Sequence, residues 1–264
     1  MPKAASRAKT DATAAQMDNL LQLLAFDRRQ RFKGRSRTPQ CFLVGTDEVG
    51  RGCFAGPVVA AAVMLPEIEE QSELAHSLCQ LNDSKKLTPT QREKLSDIIH
   101  RTAVCAIAHA TVEEINEINI LHASLMAMNR ALAKLSAQIP DTMPVLVLVD
   151  GNKAIAGVEC RYLQTTVIGG DSASASIAAA SIIAKVFRDR LMIDLATQHP
   201  VYAWEKNKGY GSRTHREALK EHGMTPWHRR VFCDNLFNGT SYTDMKELND
   251  DECEESVNEL VLSR

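Results

Sequence analysis

The sequence predicts an α/β fold, because apolar runs of strand length alternate along the chain with segments that have helical spacing. The runs at residues 41–44, 58–65 and 144–149 are continuous, which is typical of strands buried on both faces of a sheet. The segments between them carry helix-start signals and apolar residues three and four positions apart. At 264 residues, the chain is long enough for one large domain with loose ends.

Two adjacent carboxylates follow the first apolar run. Asp47 and Glu48 stand directly before a loop with glycines at positions 50, 52 and 56, so we expect them at a strand end, where the sheet opens onto the loop. Two ionised carboxylates side by side at such an edge repel each other and lose hydration, which favours a hard divalent cation beside them. For the pair taken alone, a solvated strand end is the ordinary alternative.

The glycine loop at residues 50–55 also matches the dinucleotide fingerprint G-x-G-x-x-A after a strand. That fingerprint needs a helix to begin at the loop, whereas residues 57–66 enclose eight apolar residues between two prolines, the length of a strand. Alanines near position 60 are good helix formers, so the sequence leaves a helix open. A nicotinamide-dependent oxidoreductase, with Glu69 or Glu70 near the ribose, therefore remains a rival interpretation.

Capping residues predict two helices in the middle of the chain. The first begins after Thr88, where Pro89 and Gln91 complete the start signal, and should run to about residue 100. The second follows the capping box of Thr111 and Glu114 and carries a core-facing apolar stripe over residues 118–135. Two further strands are predicted at residues 103–110 and 160–168.

Two more acids stand at the ends of predicted elements. Asp150 follows the strand at 144–149, and Asp171 precedes a long helix predicted from residue 172 to about 199. Taken singly, Asp150 fits an ordinary Asp-Gly turn and Asp171 fits a helix N-cap. Together with the first pair they give four carboxylates at three element ends. Such a set can hold two divalent ions roughly 4 Å apart for phosphodiester hydrolysis.

Basic and aromatic residues mark possible contacts with a nucleic acid. Lys85 and Lys86 stand just before a helix N-terminus, where ammonium and amide groups can hold a phosphate, although a solvated loop is the alternative. Tyr210 lies between two glycines and could pack against a sugar or simply anchor a turn.

Several motifs occur in one order along residues 41–232. They are DEVGRGCFAGPVVAAAV at 47–63, NDSKKL at 82–87, VLVDG at 147–151, GDSASASIAAASIIAKVFRD at 170–189, NKGYGSRTHREAL at 207–219 and HRRVF at 228–232. In content and order they resemble the ribonuclease HII family. The resemblance implies a ribonuclease H-like fold, in which helices flank a central mixed sheet and a helical segment follows at the C-terminus.

The resemblance also implies roles for residues in this chain. The metal-binding catalytic acids would be Asp47, Glu48, Asp150 and Asp171. Gly50, Arg51 and Gly52 would contact the ribonucleotide through close backbone approach, Lys85 and Lys86 would lie near the nucleic-acid backbone, and Tyr210 would pack on the neighbouring sugar. Only an amide without a bulky neighbour can approach a 2′-hydroxyl, the group that separates RNA from DNA.

The activity implied is that of an endonuclease that uses Mn²⁺ or Mg²⁺. It would hydrolyse the RNA strand of RNA/DNA hybrids and nick duplex DNA on the 5′ side of embedded ribonucleotides, leaving 3′-hydroxyl and 5′-phosphate ends. A noncatalytic hybrid-binding module is the second interpretation, since the loss of one carboxylate would convert such an enzyme into a binder.

The chain departs from the common family pattern at three positions. Gly170 stands where many relatives carry Lys, Asn207 where His is common, and Ser212 where Thr is common. The histidines at positions 215, 222 and 228 follow no single metal spacing. We interpret them as loop or phosphate contacts, or as structural residues.

Charge separates the two ends of the chain from its middle. Residues 1–40 carry nine Lys or Arg against three Asp, and residues 244–264 carry eight acids against two basic residues. We expect a basic, disordered arm at 1–40, a catalytic domain at 41–240 and an acidic tail at 241–264, with a possible short helix at 17–26. The arm could add affinity for phosphates or serve only as a solubilising tail.

Composition narrows the cellular setting. Seven cysteines without a C-x-x-C pair argue against a disulfide scaffold or a zinc site and favour a reducing, cytoplasmic location. No stretch approaches the roughly 20 apolar residues of a membrane helix. We expect a monomer whose partners are nucleic acids, and the sequence leaves open whether it contacts a replication clamp.

Overall fold

A computed structural model describes residues 2–33, 41–141, 144–158 and 162–237. The strands are β1 (Phe42–Val49), β2 (Val58–Met64), β3 (Val104–Ala110), β4 (Val145–Asp150) and β5 (Tyr162–Val167). The helices are α1 (Pro2–Lys33), α2 (Glu73–Ser77), α3 (Pro89–Thr102), α4 (Val112–Ser136), α5 (Ala175–Gln198), α6 (Trp204–Asn207), α7 (Arg213–His222) and α8 (Arg230–Phe237).

The five strands form one mixed sheet in the order β3-β2-β1-β4-β5. The first three strands pair antiparallel, whereas β4 runs parallel to both β1 and β5. All five predicted strands are therefore confirmed, with ends shifted by one or more residues. Because β2 follows the glycine loop and no helix begins there, the dinucleotide-binding interpretation is wrong.

The two faces of the sheet bury separate cores, as continuous apolar strands require. Val58, Ala60 and Ala62 of β2 pack with α4, while the alternate residues Val59 and Ala61 pack with α5. Small side chains let both helices approach closely.

Contact between β1 and α5 depends on a glycine. A Cβ atom at Gly45 would lie 2.2 Å from the carbonyl carbon of Ser176, so only glycine permits this approach. The same contact brings the first half of α5 over the carboxyl end of β1. Asp47 faces α5 as well, because it stands two residues after Gly45.

Helix α5 begins three residues later than the sequence predicted. Ser174 is its N-cap and accepts a hydrogen bond from the amide of Ile177 at 3.2 Å. Asp171 lies in a preceding 3₁₀ helix, Gly170–Ser172, and does not cap α5. Its carboxylate is therefore free for another role.

Helix α4 contains a break. It begins at Val112, directly after its N-cap Thr111, which forms the predicted capping box with Glu114. Asn119 has φ 62° and ψ 169°, and its side chain accepts hydrogen bonds from the amides of Leu121 and His122. The helix predicted over residues 118–135 corresponds to the part that follows the break.

The expected disordered arm is wrong for residues 2–33, which form α1. The predicted helix at 17–26 is confirmed as part of it. Leu20, Leu23 and Leu24 are buried in the core that contains α5, because this stretch has an apolar face. Residues 34–40 and the expected acidic tail at 241–264 lie outside the described residues.

Charged residues also attach α1 to the domain. Asp27 is 6 % exposed and accepts hydrogen bonds from the hydroxyl groups of Ser174 and Ser176 and from the Ser176 amide, at 2.5–2.9 Å. Arg28 donates to the carbonyl oxygen of Ile68 at 2.9 Å, and Arg31 lies 3.6 Å from the carboxylate of Glu67. These two arginines therefore have partners within the chain.

Composition predicted no disulfide scaffold and no membrane helix, and the described residues bear on both. The five cysteines within it are all free thiols. Its helices are each too short or too polar to cross a lipid bilayer.

Candidate active site

Asp47 and Glu48 lie in the last three residues of β1, at the strand end that the sequence predicted. The strand continues to Val49, and the two acids stand opposite Ala61 and Ala60 of β2. Asp47 is only 5 % exposed. The strand is longer than its apolar run because the sheet hydrogen bonds continue through the acidic pair.

The parallel pairing of β1 with β4 brings a third acid to the same edge. Thr46 pairs with Val149, so Asp150 stands next to Asp47 at the carboxyl end of the neighbouring strand. One Asp150 carboxylate oxygen accepts a hydrogen bond from the Gly170 amide at 2.7 Å. This bond draws the turn that carries Asp171 towards the end of β4.

The electrostatics show that the four acids share one environment. Burial raises the pKa of Asp47 well above its ordinary value, and the charges of Glu48, Asp150 and Asp171 raise it further. Burial, together with the charge of Asp150, raises the pKa of Glu48 to about 6. The pKa of Asp171 is also raised, first by burial and then by neighbouring acids. Like charges so close to one another leave the site short of positive charge.

Two basic side chains partly offset this negative charge. Arg51 lies 3.2 Å from a carboxylate oxygen of Glu48, and the Lys85 ammonium lies 3.6 Å from one of Asp171. Burial alone would lower the pKa of Lys85, but the surrounding carboxylates raise it. The Lys86 ammonium donates to the hydroxyl group of Ser172 at 3.3 Å. Both predicted lysines therefore lie beside the acids.

The donor set fits a hard divalent cation. Carboxylate oxygens are the ligands that Mg²⁺ and Mn²⁺ prefer, and repulsion among the acids would be relieved by such an ion. Within the described residues, no group of three or more acidic, histidine or cysteine side chains is already arranged to hold a metal ion by itself. An open set suits ions that are held partly by a substrate phosphate.

Two loops join beside the acids and carry the predicted substrate residues. The carbonyl oxygen of Gly209 accepts hydrogen bonds from the amides of Phe54 and Ala55, at 2.8 and 3.2 Å. Cys53 and Tyr210 form an isolated β-bridge. We call residues 50–57 the glycine loop and residues 207–211 the tyrosine loop.

The tyrosine side chain stands at the surface of this junction. Tyr210 is 43 % exposed, and the Lys185 ammonium lies 5.9 Å from the centroid of its ring. Burial of part of the side chain raises the pKa of Tyr210 to about 12. The phenol therefore stays neutral at physiological pH and offers a flat, uncharged surface.

An open depression of about 900 Å³ lies elsewhere, lined by residues that include Glu113, Asn116, Met224 and Arg230. None of the four acids lines it. The acids lie instead at the carboxyl ends of β1 and β4 and in the turn that precedes α5.

Comparison with known proteins identifies the family. The model of the Ribonuclease HII family matches residues 44–235. The chain belongs to the ribonuclease HII family. A ribonuclease HII from Ruegeria pomeroyi is 53 % identical over 190 residues, which cover 72 % of this chain and 75 % of that protein. A ribonuclease HII from Fusobacterium nucleatum is 51 % identical over 191 residues, which cover 72 % of this chain and 85 % of that protein.

Solved structures support the predicted ribonuclease H-like fold. Ribonuclease H2 from Pyrococcus horikoshii has a TM-score of 0.57 at 26 % identity, covering 74 % of this chain and 96 % of that one. The ribonuclease HII in the PCNA complex from Archaeoglobus fulgidus has a TM-score of 0.57 at 24 % identity, covering 71 % and 93 %. Bst-RNase HIII in complex with Mn²⁺ has a TM-score of 0.60 at 19 % identity, covering 75 % of this chain and 70 % of that one.

As a member of this family, the protein is a hydrolase, an endonuclease that cleaves RNA in RNA/DNA hybrids. The family is dependent on divalent metal ions. The prediction of a ribonuclease H-like α/β fold with a mixed sheet is confirmed.

The sequence analysis did not single out three polar residues that lie beside the acids. Ser181 lowers the pKa of Asp47, and the hydroxyl oxygen of Ser84 lies 2.8 Å from that of Ser181. Asp83 raises the pKa of Asp171 and adds a fifth acid. Asp83 and Ser84 belong to the motif NDSKKL, in which only the lysines carry a charge that suits a phosphate, and Ser181 lies in a serine-rich stretch that does not distinguish it.

The histidines at 215 and 228 are structural, as one of the two interpretations held. Both are buried, and their Nε2 atoms lie 3.1 Å apart. His215 Nδ1 lies 2.9 Å from the carbonyl oxygen of Tyr210, and the Trp204 indole donates to His215 Nε2 at 3.1 Å. Burial lowers the pKa of His228 to about 3, so this pair is neutral beneath the tyrosine loop. His222 is exposed.

The three departures from the family pattern have definite structural roles. Asn207 accepts from the Gly209 amide at 2.8 Å, and Ser212 is the N-cap of α7. A Cβ at Gly170 would lie 2.5 Å from the Cδ1 atom of Ile177 and 3.0 Å from an Asp150 carboxylate oxygen. A lysine at this position would therefore require Ile177 to move.

Proposed function

We propose that this protein hydrolyses the phosphodiester on the 5′ side of a ribonucleotide, both in RNA/DNA hybrids and at single ribonucleotides within duplex DNA. The products would carry 3′-hydroxyl and 5′-phosphate ends. The observation that carries this proposal is the placement of four acids from three segments, β1, β4 and the turn that carries Asp171, at one end of the sheet beside two joined loops.

Asp47, Glu48, Asp150 and Asp171 would hold Mg²⁺ or Mn²⁺ as the catalytic acids. When bound, such ions activate the attacking water and stabilise the leaving oxygen. The protein supplies a fixed arrangement of acids, because the hydrogen bonds to Asp150 and Asp47 restrict the rotation of both carboxylates. Water would attack directly, and the acids would act as ligands rather than as a covalent nucleophile.

The loops would supply the choice of substrate. Gly50, Arg51 and Gly52 would approach the ribose through their backbone, and Tyr210 would pack on the neighbouring sugar. Lys85 and Lys86 would contact phosphates, since both ammonium groups stand at the surface beside the acids.

The test uses a labelled DNA duplex with one embedded ribonucleotide, incubated with Mg²⁺ or Mn²⁺. We expect one nick on the 5′ side of the ribonucleotide, and no nick in an all-DNA duplex. Asp150→Asn should lose the nick, whereas Asp194→Asn, an exposed acid on α5, should retain it.

Two outcomes would contradict the proposal. An intact substrate with the wild-type protein would favour the noncatalytic hybrid-binding module, especially if Asp150→Asn bound the hybrid equally well. A nick that survives in Asp150→Asn would instead remove the acids from the mechanism.

The proposal extends to partners and setting. The Archaeoglobus fulgidus relative was solved with PCNA, so we include contact between this chain and a replication clamp. Co-elution with a clamp during size-exclusion chromatography tests it. The same experiment tests the predicted monomer, which together with a cytoplasmic location stays a prediction.

A further inference from the structure

Two arginines are buried without a carboxylate partner near the loops. Arg188 of α5 and Arg229, just before α8, are both 0 % exposed. No carboxylate among the described residues forms a salt bridge with either one. Buried charges are nearly always paired, so a guanidinium group that lacks a counter-charge needs another explanation.

Both guanidinium groups donate only to backbone carbonyl oxygens. Arg188 binds those of Ala55, Pro57 and Lys208, at 2.9, 3.0 and 2.8 Å. Arg229 binds those of Gly56 and Arg51, at 2.9 and 2.8 Å. All five carbonyl groups belong to the glycine loop or the tyrosine loop. The two arginines therefore hold both loops from beneath.

This arrangement sets the direction of one amide. In a trans peptide unit, the carbonyl oxygen and the following N–H point in opposite directions, and the described chain has no cis peptide. Because Arg229 holds the Arg51 carbonyl group inward, the Gly52 N–H points away from the buried guanidinium. No described residue accepts a hydrogen bond from this amide. It is an oriented donor without a partner.

The glycine loop lies directly on the two arginines. A Cβ at Gly50 would lie 2.2 Å from Nε of Arg188, so the loop lies directly on this side chain. The Nη2 atom of Arg229 is buried and has no hydrogen-bond partner. Burial lowers the pKa of Arg229 to about 9, which leaves it charged at neutral pH. A buried positive charge beneath the loop also favours an anionic backbone above it.

We infer that Arg188 and Arg229 are positioning residues for ribose recognition, which hold the glycine loop so that the Gly52 amide faces the 2′-hydroxyl of the ribonucleotide. The inference rests on the proposed function, because it concerns the same substrate. Neither arginine touches the substrate. Their effect passes through the carbonyl groups of the loops.

The experiment measures preference in binding without cleavage. Fluorescence anisotropy in EDTA compares a duplex that carries one ribonucleotide with the same duplex in all-DNA form. For Arg229→Lys, we expect the preference for the ribonucleotide to fall about fivefold or more, the value of one hydrogen bond. Affinity for the all-DNA duplex should stay within about twofold, because phosphate contacts remain.

Arg130→Lys is the matched control. Arg130 donates to the His109 carbonyl group and to Glu114, outside both loops, so its replacement should leave both affinities unchanged. In cleavage assays, Arg229→Lys should reduce kcat/KM for the ribonucleotide substrate while its dependence on Mn²⁺ concentration stays that of the wild type. A general structural defect would weaken binding to both duplexes together.

An unchanged ribose preference in folded Arg229→Lys would overturn the inference while leaving the proposed function intact. A wild-type protein that cleaves but binds both duplexes equally would overturn it too. If Arg229→Lys does not fold, Arg188→Lys is tested in its place, since it loosens three of the five carbonyl contacts. The same ratio, affinity for the ribonucleotide duplex over affinity for the all-DNA duplex, then decides whether the inference holds. Failure of the proposed function would appear separately, as a wild-type protein that never nicks the substrate.

Discussion

The four acids and the two buried arginines all lie near the carboxyl end of β1, but their charges meet opposite surroundings. The acids lie near one another, and the pKa values of Asp47, Glu48 and Asp171 rise because burial and neighbouring negative charges disfavour the charged forms. The arginines each face a set of carbonyl groups that accept their hydrogen bonds. The difference indicates that the acids are arranged to receive a cation and the arginines to hold a shape.

The two regions should respond differently to mutation. Neutralising an acid removes repulsion from the folded protein and should stabilise it, at the expense of activity. Altering an arginine leaves several buried carbonyl groups without donors and should loosen the loops. Stability and activity therefore separate the two regions when they are measured together.

The largest expected effect is that of Asp47→Asn. Cleavage should fall by more than about 100-fold, because partners that merely orient metal ligands already contribute 10- to 100-fold. Without metal, the melting temperature should rise by roughly 2–4 °C, the shift for about 1 kcal/mol in a chain of this size. Activity assays and calorimetry in EDTA measure both, and a lower melting temperature would contradict the repulsion described here.

The next effect is a loss of stability, which is expected for Asp27→Ala. The change removes three hydrogen bonds at the start of α5 and should lower the free energy of unfolding by about 1–3 kcal/mol. Urea unfolding measures this loss. Asp18→Ala, an exposed acid on the same helix, is the control and should have little effect.

The histidine pair should make stability depend on pH. Because the folded pKa of His228 is lowered to about 3, the unfolded chain binds a proton first as the pH falls below about 6.5. The free energy of unfolding should then fall by up to about 1.4 kcal/mol per pH unit. His228→Gln should flatten this slope, whereas the exposed His222→Gln should not; equal slopes in both would argue against the buried pair.

The smallest effect is expected for Lys85, whose ammonium group lies beside the acids. Lys85→Met should weaken binding to all duplexes a few-fold and reduce the salt dependence by about one phosphate contact. Binding titrations at several salt concentrations measure it. An exposed lysine on α3, Lys94, supplies the control variant. A change confined to ribonucleotide substrates would mean that Lys85 acts on the ribose instead.

The sequence predicted the strands well because a sheet covered on both faces requires continuous apolar runs, as in β2. It also indicated all four acids, since each lies at or near the end of a strand or helix. The exact start of α5 was less predictable, because several serines and an aspartate compete as N-cap within a few residues. Ser174 was selected by tertiary contact with Asp27.

The positions of Asp27 and the two buried arginines could not be read from the sequence. The partner of Asp27 lies 147 residues away, and no local pattern records such a distance. Arg188 and Arg229 bind carbonyl groups, which every residue possesses, so their partners leave no mark in the sequence. Both appeared as ordinary basic residues in otherwise familiar motifs.

Helix α1 lies before the segment that the family shares, yet it contributes side chains to the core around α5. A recombinant protein trimmed to residues 44–235 would leave the surface covered by Leu20, Leu23 and Leu24 facing water. Such a fragment would be prone to self-association, and the serines at the start of α5 would lose their carboxylate acceptor. Domain boundaries drawn from family alignment alone would therefore cut through the folded unit of this protein.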